Sequence, residues 1–456
     1  MVAAAVLISF AAAGSPDALA GGVDWPKYGF DLANTGFNPT ETTISPANVA
    51  ALGRDWGIGG QHFSVFASPV VANGRLYLPC QPRFTNPATP QECAVDTRDG
   101  HLIWQTILGS VTSASTAAVS GGRVYVADGR PARMYALDAA TGQILWRALP
   151  TSATDASYGG APVVSGGMVY MVFNDGYLRA YRATTGAEVW NVFLDSSGMT
   201  TPAIANGILY VEGRKPMSTG PPHGVLDALD ARSGRLLWWS TDHTATSTLP
   251  VVANGLVYIA TGYETNPYYP APNLLAYPAG GCAAPPCPPA WQVEEGGVGS
   301  SASAYANGVL YQGFKDGTLH AFSGQNGDLL WTGTTALRWG APWPLQGAPA
   351  VANGVVYQGG ADGRIHAWSA SGCGQPTCAP LWTASIDEAD FWNTGAARAQ
   401  PAILDGTVYI SSSDPYMDLY AFRLGGGRRH SGGDWWRRLQ PRAGPSSAVR
   451  TGGWWR

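Results

Sequence analysis

Short apolar runs separated by turn residues recur along this chain. In the unit from Gly122 to Trp146, an apolar run ends at Val126, the chain turns at Asp128-Gly129, and a second run is closed by Thr141-Gly142 before the tryptophan. Such runs of β-branched and aromatic residues predict a meander of short strands, because glycine supplies the positive φ of tight turns. A sheet this small cannot bury both of its faces alone, so the pattern favours a repeat protein.

The unit occurs eight times, with an average period of about 46 residues, which lies in the range of four-stranded propeller blades. The first hairpin of each copy ends in a tyrosine: Tyr77, Tyr125, Tyr170, Tyr210, Tyr258, Tyr311, Tyr357 and Tyr409. Tryptophans in the predicted outer strands form a second series, which we call the docking tryptophans: Trp56, Trp104, Trp146, Trp190, Trp238, Trp291, Trp331 and Trp382. The two series are shifted, because Trp56 precedes the first tyrosine and no tryptophan strand follows the last.

This shift predicts how the array ends. An open array leaves an unpaired strand at each end, whereas a closed ring does not. We predict an all-β fold, an eight-bladed β-propeller of four-stranded blades, in which the N-terminal Trp56 strand joins the last blade and closes the ring. An open solenoid and two four-bladed domains are the alternatives, and the orphan tryptophan strand argues against both.

The composition agrees with a turn-rich β protein, since the chain has 59 Gly, 34 Pro and 18 Trp and only 13% charged residues. An apolar run from Met1 and the small-residue sequence Ala18-Leu19-Ala20 predict a cleaved signal peptide. We divide the chain into a signal peptide (1–20), an N-terminal extension (21–50), the propeller (51–424) and an Arg- and Trp-rich tail (425–456) that we expect to be disordered. In the extension, Ser45-Pro46 predicts the start of a helix.

Charge is distributed unevenly. The tail carries seven arginines and one aspartate, a net +6, which leaves −10 for the rest of a chain whose formal charge is −4. An acidic body of this kind does not indicate nucleic-acid binding.

The six cysteines predict three local disulfides, in agreement with export. Cys282/Cys287 and Cys373/Cys378 have the same spacing at equivalent repeat positions, and Cys80 and Cys93 flank a loop between neighbouring strands. Zinc is the alternative for each closely spaced pair, but a pair supplies only two ligands and no histidine is close in sequence. We assign no metal.

Three copies contain the pattern Ala-x-Asp-x-x-x-Gly-x-x-x-Trp, beginning at Ala94, Ala136 and Ala228. This pattern resembles the tryptophan-docking repeat of the pyrroloquinoline-quinone (PQQ) type propellers, which include quinoprotein dehydrogenases and the outer-membrane β-barrel assembly lipoprotein. The segment from Trp25 to Pro39 resembles the N-terminus of secreted members. The resemblance covers roughly residues 24–424 and implies the eight-bladed fold, while it leaves the activity open.

The predicted connections differ between the two faces of the ring. Short Asn-Gly and Thr-Gly turns share one face, which we call the short-turn face, and long varied connections share the other, the loop-rich face. Variable loops on a rigid scaffold commonly carry binding residues. Our candidates for a ligand or partner face are Tyr263, Glu264, Tyr268, Tyr269, Arg338, Trp339, Trp343 and Trp392. Aromatic rings beside charges suit a sugar, a planar cofactor or a protein partner; rings that only fasten the loops are the structural alternative.

Two functions follow. The leading interpretation is a secreted, non-catalytic binding or scaffold module that takes an unknown protein or small-molecule ligand on its loop-rich face. We expect it to be a monomer without a membrane span, in the cell envelope or outside the cell, and an envelope-assembly scaffold is one form of this interpretation. The alternative is a PQQ- and calcium-dependent alcohol or sugar dehydrogenase, which needs oxygen ligands for Ca²⁺ and an Asp base. The sequence has no adjacent Cys-Cys pair and no Cys-x-x-Cys-His haem motif. We therefore assign no catalytic residue, cofactor-binding residue or cofactor.

Overall fold

A computed structural model describes most of the chain as β-strands. The described residues are 24–58, 67–80, 91–109, 114–129, 131–150, 157, 159–215, 223–244, 248–260, 274–294, 301–336, 342–386, 397, 399–412 and 419–426. The predicted signal peptide and residues 427–456 of the predicted tail lie outside them. None of the described segments forms a helix with the length and hydropathy of a transmembrane span.

The first elements belong to the N-terminal extension and the strand after it. They are β1 (Phe37–Asn38), a 3-10 helix (Val49–Ala51) and β2 (Leu52–Ile58). The helix start predicted at Ser45-Pro46 leads only to a single turn and the short 3-10 helix. The amides of Asn48 and Val49 bond the carbonyl of Ser45, and the Asn48 side chain accepts a bond from the Ser45 amide, so a turn forms before the short 3-10 segment.

Eight sheets follow within the described residues, each an antiparallel meander, and we number them as blades 1 to 8. Blades 1 to 4 contain β3 (Val70–Ala72), β4 (Arg75–Cys80), β5 (Gln91–Asp96), β6 (Leu102–Ile107); β7 (Ala118–Ser120), β8 (Arg123–Asp128), β9 (Arg133–Asp138), β10 (Ile144–Ala148); β11 (Val163–Ser165), β12 (Met168–Val172), β13 (Tyr177–Arg182), β14 (Glu188–Phe193); and β15 (Ala203–Ala205), β16 (Ile208–Lys215), β17 (His223–Asp230), β18 (Leu236–Thr244).

Blades 5 to 8 contain β19 (Val251–Ala253), β20 (Leu256–Ala260), β21 (Leu274–Pro278), β22 (Trp291–Val293); β23 (Ala304–Ala306), β24 (Val309–Gly313), β25 (Thr318–Ser323), β26 (Leu329–Thr334); β27 (Leu345–Ala352), β28 (Val355–Gly360), β29 (Arg364–Ser369), β30 (Thr377–Cys378), β31 (Trp382–Ser385); and β32 (Ala402–Leu404), β33 (Thr407–Ser411), β34 (Leu419–Leu424). The short β30 adds to blade 6, and β1 adds to blade 7 beside β27. The fold is an eight-bladed β-propeller with four-stranded blades, as the sequence predicts.

Blade 8 takes its outer strand from the beginning of the chain. β2 pairs antiparallel with β34, with Leu52 opposite Leu424 and Ile58 opposite Leu419. Trp56 in β2 then donates its indole N–H to the carbonyl of Thr97 in blade 1, at 3.1 Å.

The apolar core lies between blades rather than inside any one of them. The tyrosine and the docking tryptophan of one blade point toward the next, where both donate to the same backbone carbonyl in several copies. Tyr125 and Trp146 of blade 2 both reach the carbonyl of Ala183 in blade 3, at 3.2 and 2.9 Å. Their ring centroids lie 6.0 Å apart at 48°. A repeated aromatic pair therefore joins the blades by burial and by hydrogen bonds together.

All three predicted disulfides are present: Cys80–Cys93, Cys282–Cys287 and Cys373–Cys378. The two short disulfide loops each cover the outer strand of the preceding blade. The Cys287 amide bonds the carbonyl of Trp239 in blade 4, and the Thr332 amide of blade 6 bonds the carbonyl of Pro376. Covering an outer strand in this way removes an exposed sheet edge.

Candidate functional site

The N-terminal segment 24–38 lies across the ring axis, and we call it the hub. It bonds the innermost strand of one blade after another. Its Trp25 exchanges bonds with Val71 of blade 1, Leu32 accepts from Ile204 of blade 4, and Thr35 accepts from Tyr305 of blade 6. Further bonds join the hub to blades 2, 5, 7 and 8. The hub therefore closes the axis and divides the space on its two sides.

Two asparagines of the hub give it its fixed position. The buried Asn34 side chain donates to the carbonyls of Pro202 and Pro250, at 3.1 and 3.0 Å, and so joins blades 4 and 5. Asn38 donates to the carbonyl of Ile403 in blade 8, at 2.8 Å. Buried amides of this kind stabilise only one arrangement, because an unpaired amide in the interior is costly.

Lys27 is the buried cation of the hub. Its ammonium donates to the carbonyls of Tyr28 and Asp31 and to the side-chain oxygen of Asn34. Burial lowers the pKa of Lys27 to about 7, with the charge of Asp31 acting in the opposite direction. The ammonium thus holds the turn from Tyr28 to Asn34 together by binding three of its oxygens.

Above the hub, on the loop-rich face, lies a central cavity of about 610 Å³. Its floor includes Tyr28, whose pKa burial raises to about 12. The walls come from the residues that precede the innermost strands, and small side chains are needed there because the blades converge at the axis. The described lining residues are Ala67, Ala114, Ser115, Thr116, Gly159, Gly160, Ala161, Asn174, Gly198, Met199, Thr200, Thr201, Thr248, Leu249, Ser301, Ala302, Gly347 and Ala348.

Backbone geometry and hydroxyl bonds hold these walls. A proline precedes the innermost strand in most blades, as in Ala161-Pro162 and Thr201-Pro202, which keeps the entering segment extended. The Thr201 hydroxyl accepts from the amide of Ala161, at 2.8 Å, and links blades 3 and 4. Gln358 of blade 7 donates to the Ser301 hydroxyl of blade 6, at 3.1 Å. The cavity is therefore preformed, and its described polar groups are hydroxyls, one amide side chain and backbone.

The described lining does not fit PQQ with calcium. Ca²⁺ prefers carboxylate oxygens, and a dehydrogenase base of the expected type is also a carboxylate. Among the described lining residues there is no Asp, Glu, His, Lys or Arg, and Asn174 is the amide. Asn174 already donates to the hydroxyl of Ser157, at 2.7 Å. These residues can hold a neutral polar group through hydroxyls and backbone, and they supply no carboxylate, imidazole or ammonium.

Most of the predicted loop residues lie outside the described part of the chain. These are Tyr263, Glu264, Tyr268, Tyr269, Arg338, Trp339 and Trp392. Trp343 is described and is half-buried on the loop-rich face, where its backbone lies against Gly317 in a turn of blade 6. The docking tryptophans lie in the outer strands between blades.

Sequence reasoning missed the hub and the cavity lining. The signals were present, because Asn34 and Asn38 interrupt a turn-rich segment and small residues precede a proline before the innermost strands. Small residues are expected where the blades crowd at the ring axis, but nothing in a single unit shows that a segment outside the repeats crosses that axis.

Several buried charged groups lie in the blades and do not line the central cavity. Glu92 of blade 1 is fully buried and has no hydrogen-bond partner among the described residues, and burial raises its pKa well above the usual range. Arg179 of blade 3 is fully buried and binds Asp175 through two nitrogens, at 3.0 and 2.6 Å. The buried His366 Nε2 lies 3.3 Å from a carboxylate oxygen of Asp362. Burial alone would raise the pKa of Asp362, but the imidazole of His366 favours the carboxylate and the pKa is lowered overall. None of these groups is a lining residue of the central cavity.

One described group has the composition of a metal site. Potential ligand atoms of Asp96, Asp99 and His101 lie within 4.8 Å of one another on the short-turn face. Arg98 binds the Asp96 carboxylate at 2.6 Å and lowers its pKa, and His101 bonds Asp99 at 2.6 Å. The three residues are thus engaged with side chains of the same turn, and we assign no metal to them.

Comparison with known proteins places the chain among the PQQ-type propellers. The PQQ_2 family model, described as "Outer membrane protein assembly factor BamB", matches residues 93–266 and 315–452, which together are more than half of the chain. The outer membrane protein assembly factor BamB of Yersinia pestis is 32% identical over 160 residues, covering 32% of this chain and 37% of that protein. The quinohemoprotein alcohol dehydrogenase of Comamonas testosteroni is 32% identical over 191 residues, covering 37% of this chain and 25% of that protein.

The matched segments therefore span well under two thirds of these curated relatives. The crystal structure of the same Comamonas testosteroni dehydrogenase superposes with a TM-score of 0.66 at 18% identity, covering 89% of this chain and 81% of that one. At that identity the likeness concerns the fold alone. Relatives of both kinds share the propeller, and they leave the function of this one unresolved. By the extent of the family match and by its repeats, the chain belongs to the PQQ_2 family.

Proposed function

We propose that this protein is an extracytoplasmic, non-catalytic binding module that takes a protein partner or small ligand on its loop-rich face, over the central cavity. The observation that carries the proposal is the chemistry of the described cavity lining, which offers hydroxyls, an amide and backbone but no carboxylate, imidazole or ammonium. A preformed cavity with neutral polar walls is suited to holding a group by hydrogen bonds.

Two further observations support it. Three disulfides are typical of proteins that fold outside the reducing cytoplasm. The hub and the aromatic pairs between blades make the scaffold rigid, and a rigid ring can present variable loops to a partner without reorganisation.

A PQQ- and calcium-dependent dehydrogenase is the second candidate, favoured by the 32% identity to the Comamonas testosteroni enzyme over 191 residues. Carboxylates from loops outside the described residues could supply what the described lining lacks. We therefore keep this candidate as the competing outcome of a cofactor test.

The binding proposal is tested by site-specific photo-crosslinking in cells. A photoreactive amino acid replaces Trp343 on the loop-rich face in one variant, and Gly121 on the short-turn face in a matched control. Gly121 already has open space around a side-chain position, so this replacement adds no clash beyond backbone strain. We expect a discrete adduct from position 343 and none from position 121. Adducts from both positions, or from position 121 alone, would contradict the assignment of the binding face.

A further inference from the structure

A second cleft lies on the opposite side of the hub from the central cavity. It has a volume of about 630 Å³ and opens on the short-turn face. The hub contributes Phe30, Asp31 and Phe37 to it, and the Asn-Gly turns of blades 5 and 6 contribute Asn254 and Asn307. We call it the aromatic cleft. Its size suits a ligand as large as an amino acid.

Tyr305 in this cleft breaks the repeat. The middle residue of the innermost strand is Val or Ile in seven blades, at positions 71, 119, 164, 204, 252, 351 and 403, and it is tyrosine in blade 6. The Tyr305 ring stacks on Tyr258 with centroids 5.6 Å apart at 18°, and its hydroxyl accepts from the Asn254 side chain. The propeller itself does not require a tyrosine at this position, because Val or Ile occupies it in the other seven blades. Tyr305 is 7% exposed, so it contributes only a small part of its ring to the wall of the cleft.

Phe30 is held in an unusual backbone conformation. Its φ is +69°, whereas the other described non-glycine residues with positive φ are all Asn or Asp. The left-handed region is unfavourable for a bulky side chain, and such strain often accompanies binding sites. The ring is kept in place by an edge contact with Trp25, with centroids 4.9 Å apart. This conformation presents a half-buried phenyl ring to the cleft instead of burying it.

Asp31 supplies the only charge among the residues that line the cleft, all of which are described. Its two oxygens accept from the amide and the hydroxyl of Thr35, at 2.9 and 2.6 Å, which fixes the carboxylate and leaves further lone pairs free. Lys27 does not line the cleft; it is buried behind the turn and donates to three other oxygens. The cleft thus combines one oriented carboxylate with the rings of Phe30, Phe37 and Tyr305.

We propose that the aromatic cleft is a binding site for a guanidinium group. A planar cation stacks on aromatic faces and donates in parallel to a carboxylate, and guanidinium does both. The site lies on the face opposite to the one in the proposed function and does not depend on it, so either can fail alone.

The test is isothermal titration calorimetry of the full chain with N-acetyl-arginine amide. The matched ligand is N-acetyl-citrulline amide, which has the same shape without the charge. We expect saturable one-to-one binding of the arginine compound and at least about tenfold weaker binding of the citrulline compound, because a charge-assisted bond is lost.

Three variants complete the test. Asp31→Asn should weaken binding at least about tenfold, and Tyr305→Val, which restores the residue type of the other blades, should weaken it about fivefold. Asp328→Asn removes an exposed acid of the same face outside the cleft and should leave affinity within about twofold. Circular dichroism establishes that each variant is folded. Equal binding of both ligands, no binding at millimolar concentration, or equal effects of Asp31→Asn and Asp328→Asn would overturn the proposal.

Discussion

The docking tryptophans provide an internal comparison, because their indole N–H groups differ in their partners. Trp146 donates to the carbonyl of Ala183 at 2.9 Å. Trp190, at the same position in the next blade, has a buried indole nitrogen without a partner in the described residues. Both rings contact the tyrosine of their own blade at nearly the same distance, 6.0 and 5.9 Å. Replacing each tryptophan with phenylalanine removes similar apolar volume but different polar interactions.

The expected difference follows from these contacts. Trp146→Phe loses packing and a hydrogen bond worth about 1 kcal/mol, although the Ala183 carbonyl keeps its bond from Tyr125. Trp190→Phe loses similar packing but removes a buried unpaired donor, which relieves about 1 kcal/mol. We therefore expect Trp146→Phe to lower the free energy of unfolding by about 2 kcal/mol more than Trp190→Phe does.

Urea denaturation followed by far-UV circular dichroism measures this difference, provided that the slopes of the transitions agree. The double variant should show additive losses, because the two rings belong to different interfaces. If Trp190→Phe costs as much as Trp146→Phe, the reasoning is wrong and the tryptophans act by burial alone.

Three further predictions concern the fold. Gly142→Ala should lower the free energy of unfolding by at least about 2 kcal/mol more than Gly121→Ala does. Both glycines have positive φ, but an added Cβ meets a docking tryptophan at 2.6 Å at position 142 and nothing within 4 Å at position 121. Equal losses of stability in thermal melts would contradict this. The pKa of Glu92 is raised in the folded state, so its contribution to stability is present below its unfolded pKa and is lost as pH rises through its folded pKa. The Glu92→Gln variant should therefore become more stable relative to wild type as pH rises above about 4.5. A pH-independent difference in the free energy of unfolding would refute this. Replacing both Cys373 and Cys378 with serine should speed amide hydrogen exchange at Thr332, whose amide bonds the disulfide loop, while the Trp146 strand exchanges as before; unchanged protection at Thr332 would show that the loop holds without its disulfide.

The repeat architecture could be predicted because the sequence of each unit is enough to indicate its own strands and turns. Alternating apolar residues, Asn-Gly turns and a closing tryptophan act locally, and the count of copies then fixes the number of blades. The shift between Trp56 and Tyr409 also pointed to a blade shared by both chain ends, and β2 does pair with β34 in the structure. Cysteine spacing was informative for the same reason, since both short disulfides close within one connection.

The hub could not be predicted in this way. Its Trp25, Asn34 and Lys27 find their partners 40 or more residues away or within a turn that has no repeat equivalent. Ser45-Pro46 shows a limit of local signals, because the turn that begins at Ser45 leads only to the three-residue 3-10 helix Val49–Ala51. Local sequence patterns therefore predict the repeated blades, and they do not predict the single segment that crosses the ring axis.

The central claim is that the loop-rich face binds without catalysing oxidation, and cofactor retention tests it most directly. The purified chain, with its disulfides formed, is incubated with PQQ and Ca²⁺ at micromolar concentration and then desalted. Its quinone absorbance and its dye-linked oxidation of alcohols and sugars are measured. The account predicts that no quinone is retained and no dye is reduced, because the described cavity lining has no carboxylate to hold calcium or to accept a proton. Stoichiometric retention of PQQ together with substrate-dependent dye reduction would contradict it and establish the dehydrogenase.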